Sequence, residues 1–410
     1  MTRRGTVFAL LVLATQACGG GSTPSIDVAE EVAALDVPGD PGGFDDVVDA
    51  VLRDAQEAEL SAVDEGLDVP SDSQAEGGAD LVVEELPPSD DGAPDLASEP
   101  PVDRDVPAVE VAAELPEEVI PAVVDPAAVG PYGVANVSVN VRRGNRTTPV
   151  VAHVPIGASG KRPLVLFLPG FQLKTDAYKG LADRLASQGI VVVRADPPAS
   201  LLTVSHVEMA ADGVAVLDWA LSADGPLAAG VDPSRIGVSG HSLGGKVATM
   251  IAARDARVKA LFVIDPVNAG SPITGYSAGL PDIVPDLVAP LAIPFGLAGE
   301  TTDVDGANFA SPACAPADQN FQTFYDAATA SPWVAEWTIV GADHMDFLDD
   351  SNCGFVCTAC KAGSVDPIGV HLTLWTLEVA FFRLHFGGEG TMADWLLGTT
   401  LPAGVTVRNR

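Results

Sequence analysis

Short apolar runs alternate with helix-length segments through the C-terminal part of the chain. Residues 164–168, 190–194 and 258–264 are such runs, each only five to seven residues long. Runs this short and this apolar are typical of parallel strands buried on both faces, and parallel strands require long, usually helical, crossovers. The alternation therefore predicts an α/β fold with a doubly wound, mostly parallel sheet.

Hydrophobic period and breaker residues place the other elements. The expected strands are 134–141, 150–154, 164–168, 190–194, 236–239, 258–264, 291–298 and 335–340. The expected helices are 175–188, ended by Gly189, then 207–221, 242–254 and 369–386, the last closing the domain.

Most of the acidity lies in one segment. Residues 19–128 hold 30 Asp and Glu against 2 Lys and Arg, so they carry −28 of the total net charge of −34 and leave −6 for the rest. The segment has almost no aromatic residues and too little apolar surface to offset the entropy of ordering. We expect a disordered, acidic, Pro/Ala-rich linker over 19–128 and a globular domain over 129–410. The scarcity of Lys and Arg argues against a nucleic-acid partner.

The first residues resemble an export signal. Arg3 and Arg4 precede a short apolar stretch over 5–14, which is too short to span a bilayer, and Cys18 follows a small residue. We expect a lipoprotein-type signal peptide over 1–18 with Cys18 lipidated; the alternative is an ordinary cleaved signal with an incidental cysteine. A lipid on Cys18 would anchor the protein to a membrane of the bacterial cell envelope, at the outer membrane, periplasm or cell surface.

The most specific motif is the GHSLG of residues 240–244, which fits the pattern G-x-S-x-G. It directly follows the expected strand 236–239 and opens the expected helix 242–254. In that setting the tight turn strains Ser242 and exposes its hydroxyl, and the helix N-terminus favours developing negative charge. We interpret Ser242 as a nucleophile; the alternative is a packing turn of small residues.

A nucleophilic serine needs a histidine base, and the base needs an acid to orient it. Five of the 6 histidines are poorly placed, because they precede the serine, adjoin it or lie in the closing helix: His153, His206, His241, His371 and His385. His344 follows the last expected parallel strand and is the expected base. Asp265, at the tip of strand 258–264, is the favoured acid. Asp303 remains the main alternative, with Glu300 and Asp305 behind it.

An oxyanion requires two backbone donors. One is expected from the N–H of Leu243, directly after the nucleophile. The other is expected from Phe171, in the loop that follows strand 164–168, and the Phe171 side chain would also line the acyl pocket.

The stretch from 164 to 350 resembles the chlorophyllase group of α/β-hydrolases and its relatives, the cutinase-like polyester hydrolases and platelet-activating-factor acetylhydrolases. The matching segments are LFLPGF at 166–171, GHSLGGK at 240–246, IDPV at 264–267, CAP at 314–316 and HMDFLDD at 344–350. The resemblance implies an α/β-hydrolase fold and a serine esterase. In chlorophyllases the acid is the Asp of D-P-V, here Asp265; in the polyester hydrolases it follows the next strand, which points to Asp303.

Three positions depart from the chlorophyllase pattern: Pro169 in place of His, Leu243 in place of Arg, and Asp343 in place of Gly. They bear on the identity of the substrate rather than on the catalytic chemistry. Because an exported protein would seldom meet chlorophyll, chlorophyll is not the expected substrate. We expect an exported serine hydrolase that cleaves small-molecule or polymeric carboxylic esters through an acyl-enzyme, without cofactor or metal. The alternatives are an interfacial lipase or polyester hydrolase, and a surface lipoprotein that uses the fold for binding alone.

Four further cysteines lie in the C-terminal half: Cys314, Cys353, Cys357 and Cys360. In an exported domain an even number predicts disulfides, here two, and the sequence leaves three pairings open. The alternative is a Cys₄ zinc site, which the export signal and the lack of a second C-x-x-C disfavour. A weak calcium site at Asp303, Asp305 and Asn308 is a further alternative to a plain polar loop.

Overall fold

A computed structural model describes residues 125–199, 204–223, 225–271, 274–305, 313–350 and 360–410. The expected signal peptide with Cys18, nearly all of the expected linker, and Cys353, Cys357 and Asn308 lie outside these ranges. None of the helices described is long and apolar enough to cross a membrane.

The described residues form a nine-stranded sheet in the order β1-β2-β4-β3-β5-β6-β7-β8-β9. Strands β3 to β8 run parallel to one another, whereas β1, β2 and β9 pair antiparallel at the two sides. The strands are β1 (Gly133–Arg143), β2 (Arg146–Ile156), β3 (Arg162–Leu168), β4 (Val191–Ala195), β5 (Val231–His241), β6 (Val258–Ile264), β7 (Phe295–Glu300), β8 (Val334–Ile339) and β9 (Val405–Asn409).

Helices cover both faces of this sheet. They are α1 (Lys179–Ser187), α2 (His206–Ala220), α3 (Leu243–Ala252), α4 (Phe321–Ala327), α5 (Pro367–Gly387) and α6 (Ala393–Leu397). The side chains of β3 show why its sequence is wholly apolar. Leu164 and Leu166 pack into the core under α2 and α3, while Val165 and Phe167 pack into the core under α1 and α5.

The α/β fold with a mostly parallel sheet is confirmed, and the differences are local. The expected helix at 175–188 is divided into a 3₁₀ turn, Thr175–Tyr178, followed by α1. The expected strand at 291–298 begins only at Phe295, because Pro294 directly before it has no N–H to donate to a neighbouring strand.

Three further elements, α4, α6 and β9, were not predicted from the sequence. The expectation that helix 369–386 closes the domain is wrong, because the chain continues through α6 into β9, which pairs with β8. Strand β9 lies at the sheet edge and is largely exposed, so it lacks the apolar run by which a buried strand is recognised.

Candidate active site

The GHSLG segment forms a sharp turn between β5 and α3. Ser242 has φ 55° and ψ −120°, a conformation that costs energy in a residue with a side chain, and it is the strained turn that the pattern predicts. Its N–H donates to Ile264 O at 2.9 Å. Gly244 must be glycine here, because a Cβ on it would lie 2.2 Å from Leu168 O. The turn therefore packs directly against the end of β3.

The structure brings Ser242, His344 and Asp265 together from three separate strand ends. His344 Nε2 lies 2.8 Å from Ser242 Oγ, and His344 Nδ1 lies 2.6 Å from Asp265 Oδ2. Since the carboxylate accepts the Nδ1 proton, Nε2 is free to accept the serine proton. The three side chains are buried, with Ser242 itself 9% exposed.

Asp265 occupies a strained and buried position. Its φ is 40°, its N–H donates to Ala298 O at 2.7 Å, and its side chain is fully buried. Burial raises the pKa of this carboxyl, and the hydrogen bond from His344 opposes that shift. Among the described residues Asp265 Oδ1 has no hydrogen-bond partner, so His344 supplies the one hydrogen bond that stabilises the carboxylate charge.

Asp303, the main alternative acid, contacts the backbone of His344 and not its ring. Asp303 Oδ2 accepts from the His344 N–H at 3.0 Å, and Oδ1 accepts from the Lys361 N–H at 2.8 Å. Both carboxylate oxygens are thus committed to main-chain donors. Asp303 fixes the loop that carries His344.

The other two alternatives do not reach the imidazole either. Asp305 is exposed. Glu300 accepts from the N–H groups of Thr302 and Asp303, which follow it in the same turn. Burial and the nearby Asp265 raise the pKa of Glu300, because a further negative charge close to Asp265 is unfavourable.

Asp343, which departs from the chlorophyllase pattern, holds the turn that contains His344. Its carboxylate accepts from the N–H groups of Met345 at 2.7 Å, Asp346 at 2.9 Å and Gly363 at 2.6 Å. Asp346 returns a bond, since its Oδ2 accepts from the Asp343 N–H at 2.9 Å. A glycine could supply none of the bonds that the Asp343 side chain makes.

One disulfide joins Cys314 to Cys360, a pairing that the sequence left open. It attaches the segment beside Lys361, whose N–H is bonded to Asp303, to the chain that follows β7. An Asp303 oxygen and the two sulfurs lie within 4.8 Å of one another. The sulfurs are bonded to each other, so neither is a thiolate that could ligate zinc.

The two expected oxyanion donors lie at the ends of elements that meet at Ser242. Leu243 is the first residue of α3, so its N–H has no acceptor within the helix. Phe171 lies in a turn closed by the Leu173 N–H donating to Gly170 O at 3.1 Å, and its ring is 38% exposed. A Cβ on Gly170 would lie 3.4 Å from Ser242 Cβ, so this turn is in contact with the turn that holds Ser242.

His241 is buried beside Ser242 but points away from it. Its Nδ1 lies 2.7 Å from Tyr178 Oη, and its ring lies 4.5 Å from the ring of His344. Sequence reasoning set His241 aside and missed Tyr178 entirely, because no spacing relates the tyrosine to the serine motif. His153, which is also buried, contacts Asp183 and Arg194 instead.

A mostly parallel sheet with a strained serine turn, followed along the chain by an acid and a histidine, defines an α/β-hydrolase of the serine esterase class. Residues 124–403 match the family model for chlorophyllase, and the chain belongs to the chlorophyllase family. The class that the sequence resemblance implied is confirmed, and the chain is an ester hydrolase of the α/β-hydrolase type.

Several plant proteins are similar over this domain. Chlorophyllase-1 of Arabidopsis thaliana is 29% identical over 246 residues, which are 56% of this chain and 74% of the plant protein. Chlorophyllase-1, chloroplastic, of Citrus sinensis is 28% identical over 251 residues, covering 59% and 73%. Chlorophyllase type 0 of Chenopodium album is 24% identical over 283 residues, covering 64% and 78%.

Proposed function

We propose that the protein cleaves carboxylic esters through an acyl-enzyme, with Ser242 as nucleophile, His344 as base and Asp265 as the orienting acid. One observation carries this proposal: an unbroken hydrogen-bonded chain runs from Asp265 through both nitrogens of His344 to the hydroxyl of Ser242. The strained φ of Ser242 supports it, since such strain is concentrated at functional positions.

In the acylation step Ser242 Oγ attacks the ester carbonyl carbon while His344 Nε2 takes the hydroxyl proton. The carbonyl oxygen becomes an oxyanion, to which the N–H groups of Phe171 and Leu243 donate. When the tetrahedral intermediate collapses, the bond to the alcohol oxygen breaks and His344 gives its proton to the departing alcohol. Asp265 stays ionised and stabilises the imidazolium that forms between the two transfers.

Deacylation repeats these roles with water as the nucleophile. His344 Nε2 takes a proton from the water as its oxygen attacks the acyl carbon, and the same two N–H groups receive the second oxyanion. Collapse breaks the bond to Ser242 Oγ, and His344 returns the proton to the serine. The products are an alcohol and a carboxylic acid, and the enzyme regains its starting state.

The natural ester is a separate question from the chemistry. The related plant proteins are called chlorophyllases, and chlorophyll is therefore one substrate to test. The three departures at Pro169, Leu243 and Asp343 lie in the oxyanion loop, beside the nucleophile and beside the base. They favour a different ester, and the exposed ring of Phe171 is available to contact its acyl group.

The test combines active-site labelling with substrate turnover. A fluorophosphonate should label wild-type protein, because an activated serine attacks phosphorus as it attacks a carbonyl. Ser242→Ala and His344→Ala should lose labelling and ester turnover by about 10⁴-fold or more. Ser239→Ala, on the same strand, is the matched control and should keep both.

Turnover of p-nitrophenyl acetate, longer p-nitrophenyl esters and chlorophyll then orders the substrates. A steep preference for long chains at an interface would favour the lipase alternative. Retained labelling and turnover in Ser242→Ala would refute the proposal, and no turnover of any ester by wild type would favour a binding protein.

We also propose that the protein is exported and anchored to the bacterial cell envelope through a lipid on Cys18, with residues 19–128 as the tether. The basic, apolar and small-residue order of the first residues supports this. In a bacterial host wild-type protein should sediment with membranes, whereas Cys18→Ser should not. Equal sedimentation of the two would contradict the anchor.

A further inference from the structure

A single buried hydroxyl lies between the oxyanion loop and the nucleophile's turn. Tyr178 ends the 3₁₀ turn Thr175–Tyr178 and is 1% exposed. Its Oη lies 2.7 Å from His241 Nδ1, and it accepts from the Gly170 N–H at 3.2 Å. Gly170 directly precedes Phe171, and His241 directly precedes Ser242. The hydroxyl therefore connects Gly170 to His241. The residues that follow these two, Phe171 and Ser242, act on the same substrate carbonyl in the proposed reaction.

The direction of each proton in this network follows from the donors. The Gly170 N–H can only donate, so Tyr178 Oη accepts there and uses its own proton toward His241 Nδ1. Burial lowers the pKa of His241 well below its usual range and raises that of Tyr178, so the first stays neutral and the second keeps its proton. His241 then carries its proton on Nε2. This arrangement gives the Gly170 N–H, Tyr178 Oη and His241 Nδ1 a partner each, while His241 Nε2 has none among the described residues.

These bonds set the orientation of the Phe171 N–H. The C=O of Gly170 and the N–H of Phe171 belong to one trans peptide and point in opposite directions. The Leu173 N–H fixes that C=O from one side, and Tyr178 fixes the preceding peptide through the Gly170 N–H. The backbone of Gly170 also lies close to His241, because a Cβ on Gly170 would lie 3.2 Å from His241 Nδ1.

We propose that Tyr178, through His241, is a positioning residue that holds the Phe171 N–H in place to receive the oxyanion at Ser242. The inference rests on the proposed function and adds a residue that touches neither the substrate nor the reacting atoms. Without the Tyr178 hydroxyl, the buried Gly170 N–H has no acceptor and His241 Nδ1 has no donor. The oxyanion loop then loses its bond to the turn beneath it.

The first experiment separates kcat from KM in the full-length Tyr178→Phe variant. Loss of an oxyanion donor costs about 10²- to 10³-fold in kcat, and a misplaced donor should cost part of that, roughly 10- to 100-fold. KM for p-nitrophenyl acetate should change less than about twofold, because the oxyanion forms only in the transition state. Inhibition by a phenylboronic acid, whose serine adduct is tetrahedral, should weaken in parallel with kcat.

Two matched variants separate positioning from a loss of folding. Tyr325→Phe removes the hydroxyl of another buried tyrosine, on α4 against Arg408 and Arg410, and should keep wild-type kcat. At position 241, His241→Asn keeps an acceptor near the Nδ1 position, while His241→Leu removes it. His241→Leu should lower kcat as much as Tyr178→Phe does, whereas His241→Asn should retain most of the wild-type kcat. In the double variant, the losses from Tyr178→Phe and His241→Leu should not add.

A second readout does not depend on activity. Hydrogen exchange of a peptide spanning residues 164–175 should become faster in Tyr178→Phe and His241→Leu, and remain unchanged in Tyr325→Phe. Unchanged exchange in Tyr178→Phe would overturn the proposal even if the wild type cleaves no ester. Wild-type kcat in Tyr178→Phe, or equal kcat losses in His241→Asn and His241→Leu, would overturn it in an active enzyme.

Discussion

The turn that holds Ser242 and the loop that holds His344 are fixed in different ways. The serine turn is built from consecutive residues, with a strand before it, a helix after it and glycines where neighbouring backbone comes close. The histidine loop has local bonds from Asp343 but depends also on residues distant in the chain: Asp265, 79 residues away, bonds the ring, and Asp303, 41 residues away, bonds the backbone.

The difference predicts how each region responds to substitution. The serine turn depends on backbone geometry, so a change there affects the fold and the nucleophile together. The histidine loop depends on separate side chains. The contact that orients the ring and the contact that places the backbone can therefore be removed one at a time. Two aspartates of the same region should therefore differ by orders of magnitude in their effect on kcat.

Asp265→Asn should have the largest effect. Asn cannot balance the imidazolium charge, and its amide N–H₂ facing Nδ1 would force the ring proton onto Nε2, where it blocks proton transfer from Ser242. We expect kcat to fall by about 10³- to 10⁴-fold with the fold intact. Steady-state kinetics with p-nitrophenyl acetate measure the fall in kcat, and circular dichroism shows whether the fold is intact.

Asp255→Asn is the control for Asp265→Asn, since Asp255 is also buried but is paired with Arg257. It should leave kcat unchanged. If Asp265→Asn retained kcat within a few-fold while Ser242 was still required, Asp265 would not be the orienting acid.

The serine turn could be predicted from five residues, because strand, turn and helix are local and the glycines mark the places of close backbone contact. His344 could be selected by its place after a strand, since chain order and loop position are readable in a sequence. The fold class could be predicted from the apolar runs, because their length and spacing are also readable in the sequence.

The roles of Asp303 and Tyr178 could not be predicted. Asp303 has the residue type and chain position of an acid, and only the three-dimensional path of the loop shows that it faces an N–H rather than the ring. Tyr178 lies 63 residues before His241, and a hydrogen bond across that separation leaves no periodic signal. Edge strand β9 was missed because a half-exposed strand has no apolar run.

Asp303→Asn should reduce kcat by only about tenfold. An asparagine has one acceptor oxygen in place of two, so it can bond the N–H of His344 or that of Lys361 but not both, and the loop shifts slightly. Asp303→Ala loses both bonds and should cost more in kcat and in thermal stability. Kinetics and thermal unfolding of both variants test this.

A loss of kcat in Asp303→Asn as large as that in Asp265→Asn would contradict the conclusion that Asp303 bonds the backbone of His344 and Asp265 bonds its ring. It would assign the role of the orienting acid to Asp303, which follows the end of β7, as in the polyester hydrolases. Reduction of the Cys314–Cys360 bond offers a parallel perturbation, because it releases the segment that carries the Lys361 N–H. Its effect on kcat should resemble that of Asp303→Asn.

Helix α5 contains the opposite situation, a buried acid with no good partner, packed against the strand that leads into the serine turn. Glu378 on α5 lies against Ser239 of β5, and among the described residues neither carboxyl oxygen makes a hydrogen bond of good geometry. Burial raises the pKa of Glu378 from the ordinary 4.5 to about 8, with the nearby Ser239 hydroxyl opposing the shift. The acids around His344 accept hydrogen bonds from N–H groups, whereas burial of Glu378 favours its protonated form.

Glu378 should therefore make the folded protein less stable as pH rises. Below pH 4.5 both states are protonated and the residue has no pH-dependent effect. Between pH 4.5 and about 8 the unfolded state releases a proton that the folded state keeps, so the free energy of unfolding falls by up to about 1.4 kcal/mol per pH unit. Glu378→Gln removes this loss, so urea unfolding should show an advantage for the variant that grows from pH 5 to pH 8 and then levels off. Glu336→Gln should instead destabilise, because buried Glu336 is paired with Arg408. A Glu378→Gln advantage independent of pH would mean that the carboxyl is solvated in the folded state.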